Sequence, residues 1–271
     1  MEAIASADGT SIAFEQAGTG PPLVVVHGMT GNRRGFDSVR PFLHADLTVA
    51  TMDRRGRGDS GDSPDYTIER EYEDIIAVTN ALRPPLLLYG HSFGAVCALG
   101  AAMQSDSISG LILYEPWMVV DDRSLFTPAQ LERFDELLAN DDREGVLRTL
   151  LVDIVGISSR DMDQIMSEPG WNERLDVART IPREARAAES YRLPADKVGK
   201  LLTPVLLLLG GDSPPSASRV NAMLEMALPN VRTVVMPGQQ HIASRTGPDL
   251  LAGAILDFSR DIAQRPARPF N

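Results

Sequence analysis

The segment Gly90-His91-Ser92-Phe93-Gly94 follows the apolar run Pro85-Leu86-Leu87-Leu88-Tyr89 and precedes a small-residue stretch from Ala95 to Met103. Apolar run, G-x-S-x-G pentapeptide and small-residue helix together make a strand–turn–helix unit, the setting of a nucleophile elbow. The steric demand is strict. A serine on so sharp a turn holds a strained backbone, and glycines on both sides let neighbouring chain approach closely. Its hydroxyl then stands clear of the sheet, and the N–H of Phe93 points to where a substrate oxygen would gain charge.

The rest of the chain repeats the theme. Ile12-Ala13-Phe14-Glu15 reads as an early hairpin strand. Leu23–Val26, Leu47–Thr51, Leu86–Tyr89, Leu111–Tyr114, Val205–Leu209 and Val231–Val235 are continuous apolar or β-branched runs. Such runs suit a mostly parallel sheet covered on both faces, and helix-length amphipathic segments separate them. In α/β sheets of this kind, sites gather at the carboxyl ends of the strands, so His27, Asp53, Ser92, Glu115, Asp212 and His241 are expected along one rim. From about residue 117 to 199 the strand signals stop and helical periodicity takes over, as in Leu131, Phe134, Leu137, Leu138 and again Val146, Leu147, Leu150, Leu151. Residues 1–116 and 200–271 are therefore expected to form the core, with 117–199 inserted as a helical lid. The proline-punctuated tail 265–271 is expected to be loose.

Composition excludes several roles. A chain of 271 residues, 43% hydrophobic, buries a full core and suits one large α/β domain with an insertion. With 26 basic against 37 acidic residues the formal charge is -11, which argues against nucleic acid or an anionic membrane as the main partner. A single cysteine, Cys97, rules out an internal disulfide and permits a reducing compartment; in the helix after the elbow it is expected as a buried structural thiol. The N-terminus has no basic region followed by an apolar stretch, and no run approaches a membrane span, so a cytoplasmic location is expected. Zinc-ligand and phosphate-loop patterns are missing from the sequence, and neither a metal nor an organic cofactor is expected.

A serine nucleophile needs a base within hydrogen-bond reach and a carboxylate to orient that base. Of four histidines, His241 follows the last strand on the loop Met236-Pro237-Gly238-Gln239-Gln240, where it can reach across the rim. His27 and His91 sit in glycine turns and read as braces, and His44 as a surface residue at a helix end. Two strand ends offer the acid: Glu115 in Leu113-Tyr114-Glu115-Pro116, and Asp212 after Leu209-Gly210-Gly211. Glu115 is preferred, because it emerges from an apolar strand directly before the lid; Asp212 is the alternative.

Val26-His27-Gly28-Met29, the turn Asp53-Arg54-Arg55-Gly56-Arg57-Gly58-Asp59-Ser60, the elbow at Ser92 and Pro237-Gly238-Gln239-Gln240-His241 together resemble the α/β-hydrolases over nearly the whole chain. That resemblance implies an eight-stranded sheet with helices on both faces. It makes Gly28-Met29 the source of a second oxyanion N–H beside that of Phe93, and 53–60 a structural turn near the rim. The usual acid slot of the family, G-x-x-D before proline, falls here on Ser213, so Asp212 is out of step. An acid after the sixth strand is similar to the zearalenone-type lactonases. Haloalkane dehalogenases can place theirs there too, but they use an aspartate nucleophile where this chain has Ser92. The resemblance implies a serine hydrolase that cleaves a carboxylic ester or lactone through an acyl-enzyme. Trp117, Met118, Phe126 and Trp171 of the expected lid supply large apolar surface to line a pocket, which suits a mid-sized apolar small molecule. Competing readings are a carbon–carbon bond hydrolase or a cofactor-free perhydrolase on the same triad, and a non-catalytic small-molecule receptor on the same fold. A small-molecule substrate is the expected partner, and a homo-oligomer is compatible.

Overall fold

A computed structural model describes residues 1–265 except 122, 168 and 169. Nearly all of the tail expected to be loose thus lies outside the described residues. Eight strands form one sheet: β1 (Glu2–Ala5), β2 (Ser11–Gly18), β3 (Pro22–Val26), β4 (Thr48–Met52), β5 (Leu86–His91), β6 (Ile108–Tyr114), β7 (Val205–Gly210) and β8 (Val231–Met236). Their order is β1-β2-β4-β3-β5-β6-β7-β8. The β1–β2 and β2–β4 pairs are antiparallel and the remainder parallel. The seven expected strands are present; β1, a short and largely exposed edge strand, has no apolar run to announce it.

Burial on both faces explains why the central strands read as unbroken apolar runs. Along β3, Leu23 and Val25 face one core while Val24 and Val26 face the other. Along β5, Leu87 and Tyr89 share the first core and Leu86 and Leu88 the second. The helix Pro248–Ala263 closes the first face with Leu251, Ile255 and Phe258. Helices Ile68–Ala81 and Phe93–Ala102 close the second. All ten residues of Phe93–Ala102 are buried. Its small side chains allow close packing: a Cβ at Gly100 would fall 2.2 Å from the ring of Tyr72.

Between β6 and β7 the described residues contain helices and no strand, apart from an isolated bridge between Val120 and Arg123. The first helix, Pro128–Ala139, begins at a capping box in which Thr127 and Gln130 satisfy each other's backbone N–H, with proline at the first helical position. Phe134 and Leu137 on its inner side, with Val146, Leu150, Ile181 and Ala185 from the helices that follow, join the core on the elbow's face of the sheet. Among the described residues no helix is long and apolar enough to cross a membrane.

Candidate active site

Ser92 sits between β5 and its helix at φ 57°, ψ −125°. Both flanking glycines are sterically required. A Cβ on Gly94 would lie 2.3 Å from the carbonyl oxygen of His27, and one on Gly90 2.6 Å from the Cα of Ala95. The N–H of Ser92 donates to the Tyr114 carbonyl (3.0 Å), and its carbonyl accepts from Ala95 (3.0 Å) and Trp117 (3.3 Å), so the end of β6 clamps the elbow. Phe93 is the first residue of its helix, and its N–H has no intrahelical acceptor.

The turn Gly28-Met29 is held by its carbonyls. That of Gly28 accepts from His27 Nδ1 (2.8 Å), from the N–H of Gly31 (3.1 Å) and from Arg54 Nη1 (3.4 Å); that of Met29 accepts from Arg57 Nη2 (2.8 Å). Because a trans peptide points its C=O and N–H in opposite directions, anchoring the Gly28 carbonyl turns the Met29 N–H the other way. His27 is a brace, as expected. Its Nε2 accepts the N–H of Arg54 (3.1 Å) while Nδ1 donates, which sets the tautomer. Burial, reinforced by Arg54 and Arg57, pushes its pKa well below the ordinary value, so the ring stays neutral.

Those arginines belong to a buried ion network. Arg54 is bidentate to Glu71 (2.7 and 3.0 Å) and lies 2.9 Å from Glu184, which reaches in from the inserted helix Ile181–Ser190. Arg57 meets Glu184 at 2.5 Å, and Arg55 is bidentate to Asp74 at 2.7 Å. Burial opposes the charge on Arg54, but Glu184 and Glu71 outweigh it and raise its pKa well above the ordinary value. The turn of residues 53–60 thus links the Gly28-Met29 turn to the helices between β6 and β7. Asp53 stabilises that turn by accepting from the N–H groups of Arg33 (2.9 Å) and Asp59 (3.1 Å).

Glu115 follows β6 at φ 42° and, with Ser92, is one of four described non-glycine residues in the left-handed region. It is 3% exposed. Its Oε2 accepts from His241 Nδ1 at 2.7 Å; its Oε1 accepts from the Gly210 N–H at 2.9 Å and from the Ser213 hydroxyl. Burial alone would raise this carboxyl, but the bonds from His241, Ser213 and Gly210 outweigh it and hold it below the usual range. Asp212 is exposed, and its backbone N–H donates to the Gln239 carbonyl. The hydroxyl at the family's acid slot, Ser213, therefore serves the carboxylate that lies on Glu115.

Two residues fix the loop that carries His241. The Tyr114 hydroxyl donates to the Gln240 carbonyl and accepts the Ala243 N–H at 3.0 Å. His91 Nε2 donates to the His241 carbonyl at 2.8 Å, and its ring lies 4.6 Å from that of His241. Burial, with the facing His241, pushes His91 down to about 3. His91 thus braces the loop of the base as well as occupying its own turn. His44, expected on the surface, is half-buried at the end of its short helix, with its Cα against Gly18.

Two cavities meet here. One of about 150 Å³ has Ser92, His241, His27, Gly28, Met29 and Trp117 in its wall. The other, about 870 Å³, shares Trp117 and His241 and adds Glu115, Met118 and residues of the insertion. Of the four expected pocket residues, Trp117 and Met118 line a cavity, whereas Phe126 and Trp171 line neither. Phe126 is buried between Trp117 and Phe134, with ring centroids at 5.2 and 6.1 Å. Trp171 opens the helix Trp171–Val177 and packs on the core. Sequence reasoning missed Tyr114, which reads as the last apolar residue of a strand, and the partnership of Ser213 with Glu115. It also missed Arg54, Arg57 and Glu184 as a unit.

Comparison with known proteins agrees with this architecture. The model of the alpha/beta hydrolase family matches residues 23–254. A 2-(acetamidomethylene)succinate hydrolase of Mesorhizobium japonicum is 27% identical over 267 residues, covering 92% of this chain and 91% of its own. A pimeloyl-[acyl-carrier protein] methyl ester esterase of Neisseria meningitidis is 26% identical over 265 residues, 90% of this chain and 78% of its own. The crystal structure of an alpha/beta hydrolase from Sphaerobacter thermophilus superposes with a TM-score of 0.85 at 33% identity, over 95% of this chain and all of that one. The chain belongs to the alpha/beta hydrolase family.

Proposed function

We propose that this hydrolase cleaves a carboxylic ester or lactone through an acyl-enzyme, with Ser92 as nucleophile, His241 as base and Glu115 as the acid that orients it. The observation that carries this reading is the hydrogen bond from His241 to the buried Glu115, with His241 in the wall of the same small cavity as a serine held on a strained, glycine-flanked turn. Glu115 holds the proton on Nδ1, which leaves Nε2 free to accept one. As Ser92 Oγ bonds to the carbonyl carbon, its proton passes to Nε2. The carbonyl oxygen, now anionic, is received by the N–H groups of Phe93 and of the Gly28-Met29 turn. His241 then protonates the departing alkoxide, and the acyl group remains on Ser92. In the second half a water gives its proton to Nε2 and attacks the acyl carbon; the acid leaves and Ser92 regains its proton.

In this reading residues 117–199 form a lid over the rim of a core made from 1–116 and 200–271. A methyl ester esterase among the relatives supports ester chemistry. The test combines a fluorophosphonate probe with turnover of 4-nitrophenyl esters and lactones of graded acyl size. Labelling and turnover are expected in the wild type and lost in Ser92→Ala. Turnover that survives Ser92→Ala would refute Ser92 as nucleophile, and a chain that binds ligands without labelling or turnover would be a receptor.

A further inference from the structure

The wall of the 150 Å³ cavity beside Ser92 and His241 contains Arg174. The helix Trp171–Val177 places it there. Glu173, its neighbour on that helix, accepts from Asn32 (3.3 Å) and Arg34 (2.7 Å), which docks the helix onto the loop after the Gly28-Met29 turn. The adjacent carboxylate is therefore taken by Arg34 and not by Arg174. Among the described residues Arg174 has no ion pair, and no aspartate or glutamate lines this cavity. Arg33, in the same wall, is neutralised by Asp53 and by Asp59 at 2.6 Å.

The contrast with the other inward arginines is chemical. Arg54, Arg55 and Arg57 are buried and each meets carboxylates. Arg174 is half-buried, and desolvation acts on it with no compensating neighbour. A guanidinium keeps its proton even so, and a desolvated charge without a partner is costly. A counter-charge supplied by the ligand removes that cost.

We propose that the substrate carries a carboxylate, bound by Arg174 within reach of Ser92, so that the preferred ester is a half-ester of a dicarboxylic acid. A guanidinium fork fits a carboxylate in a bidentate pair. The single positive charge of Arg174 matches one carboxylate, whereas a phosphate monoester, near −2, would bring excess charge. Leu150, Leu151, Val155 and Ile157 in the same wall suit the hydrocarbon between the two carboxyl groups. This inference rests on the proposed role of Ser92 only for where the ester lies; the binding of the anion stands apart from it.

The experiment measures binding by calorimetry, with glutarate, dimethyl glutarate and inorganic phosphate as probes. Glutarate is expected to bind wild type and Ser92→Ala alike and, in Ser92→Ala, where the ester is not cleaved, more tightly than dimethyl glutarate. Arg174→Met is expected to weaken glutarate by about tenfold to a hundredfold, and Arg174→Lys to recover part of the loss. Melting curves verify that each variant folds, and Arg174→Gln replaces Arg174→Met if the latter does not. Glutarate bound as tightly by a folded Arg174→Met or Arg174→Gln as by wild type would overturn the proposal. So would equal affinity for glutarate and dimethyl glutarate, or binding of phosphate in preference to both. Because no hydrolysis is measured, glutarate binding without Ser92 labelling would sink only the ester-cleavage reading, and labelling without glutarate binding only this one.

Discussion

Replacing Glu115 by glutamine tests the site most sharply, because the surroundings dictate how the amide must sit. Gly210 N–H, at 2.9 Å, and the Ser213 hydroxyl both donate to Oε1, while Oε2 faces His241 Nδ1. A glutamine has one oxygen to offer. Turned with its oxygen toward His241, it would set its NH2 against the Gly210 N–H, which cannot rotate away. The hydroxyl of Ser213 can turn, but the stranded backbone donor and the misplaced amide hydrogen each cost about 1–3 kcal/mol. The oxygen therefore stays with Gly210, and the NH2 faces His241. Nδ1 must then accept, the ring proton moves to Nε2, and the imidazole presents a donor where Ser92 needs an acceptor. An inverted tautomer of this kind lowers kcat by about 10⁴-fold, or roughly 5.5 kcal/mol of barrier. The assay is steady-state turnover of a 4-nitrophenyl ester, with unfolding curves to verify the fold. Asp212→Asn, at an exposed residue, is expected to stay within about threefold of wild type. A Glu115→Gln enzyme within tenfold of wild type, or a larger loss in Asp212→Asn, would refute the reasoning.

Glu184→Gln removes the carboxylate that Arg54 and Arg57 share, leaving two buried cations short of a partner. Urea unfolding should show a loss of about 3–5 kcal/mol, and a loss below 1 kcal/mol would mean the network contributes little. Acid should also destabilise the fold. An unfolded His91 takes a proton near 6.5, whereas the folded one resists to about 3, so the unfolded state binds more protons as the pH drops between these values. Glu115 acts in the same direction, since its depressed folded pKa gives stability above 4.5 that is lost as the pH falls through the folded value. The pH dependence of unfolding free energy below pH 6.5 should therefore be shallower in His91→Gln than in wild type, by up to a few kcal/mol at pH 4. Parallel curves would contradict the burial of a neutral ring at 91.

Local sterics made much of this protein legible in its sequence. Apolar runs of strand length stand where both sheet faces are covered, and Gly90 beside Ser92 marks a turn where a Cβ would strike the Cα of Ala95 at 2.6 Å. Those demands act between near neighbours in the chain, or on one residue at a time, so a linear reading finds them. The position of His241 after the last strand is a matter of chain order and was equally visible. Which carboxylate serves His241 is of another kind. Glu115 and Ser213 are 98 residues apart, and Glu115 and His241 are 126 apart. They meet because β6 lies beside β7, with Tyr114 opposite Leu208, and no local pattern encodes that adjacency. The same holds for the cavity wall. Phe126 and Trp171 have the composition of pocket residues but turn into the core, while Arg174 looks like any helical surface arginine. Only folding reveals that its neighbour's carboxylate is already taken, because pairing and desolvation are properties of what packs around a charge and not of the residues beside it in sequence.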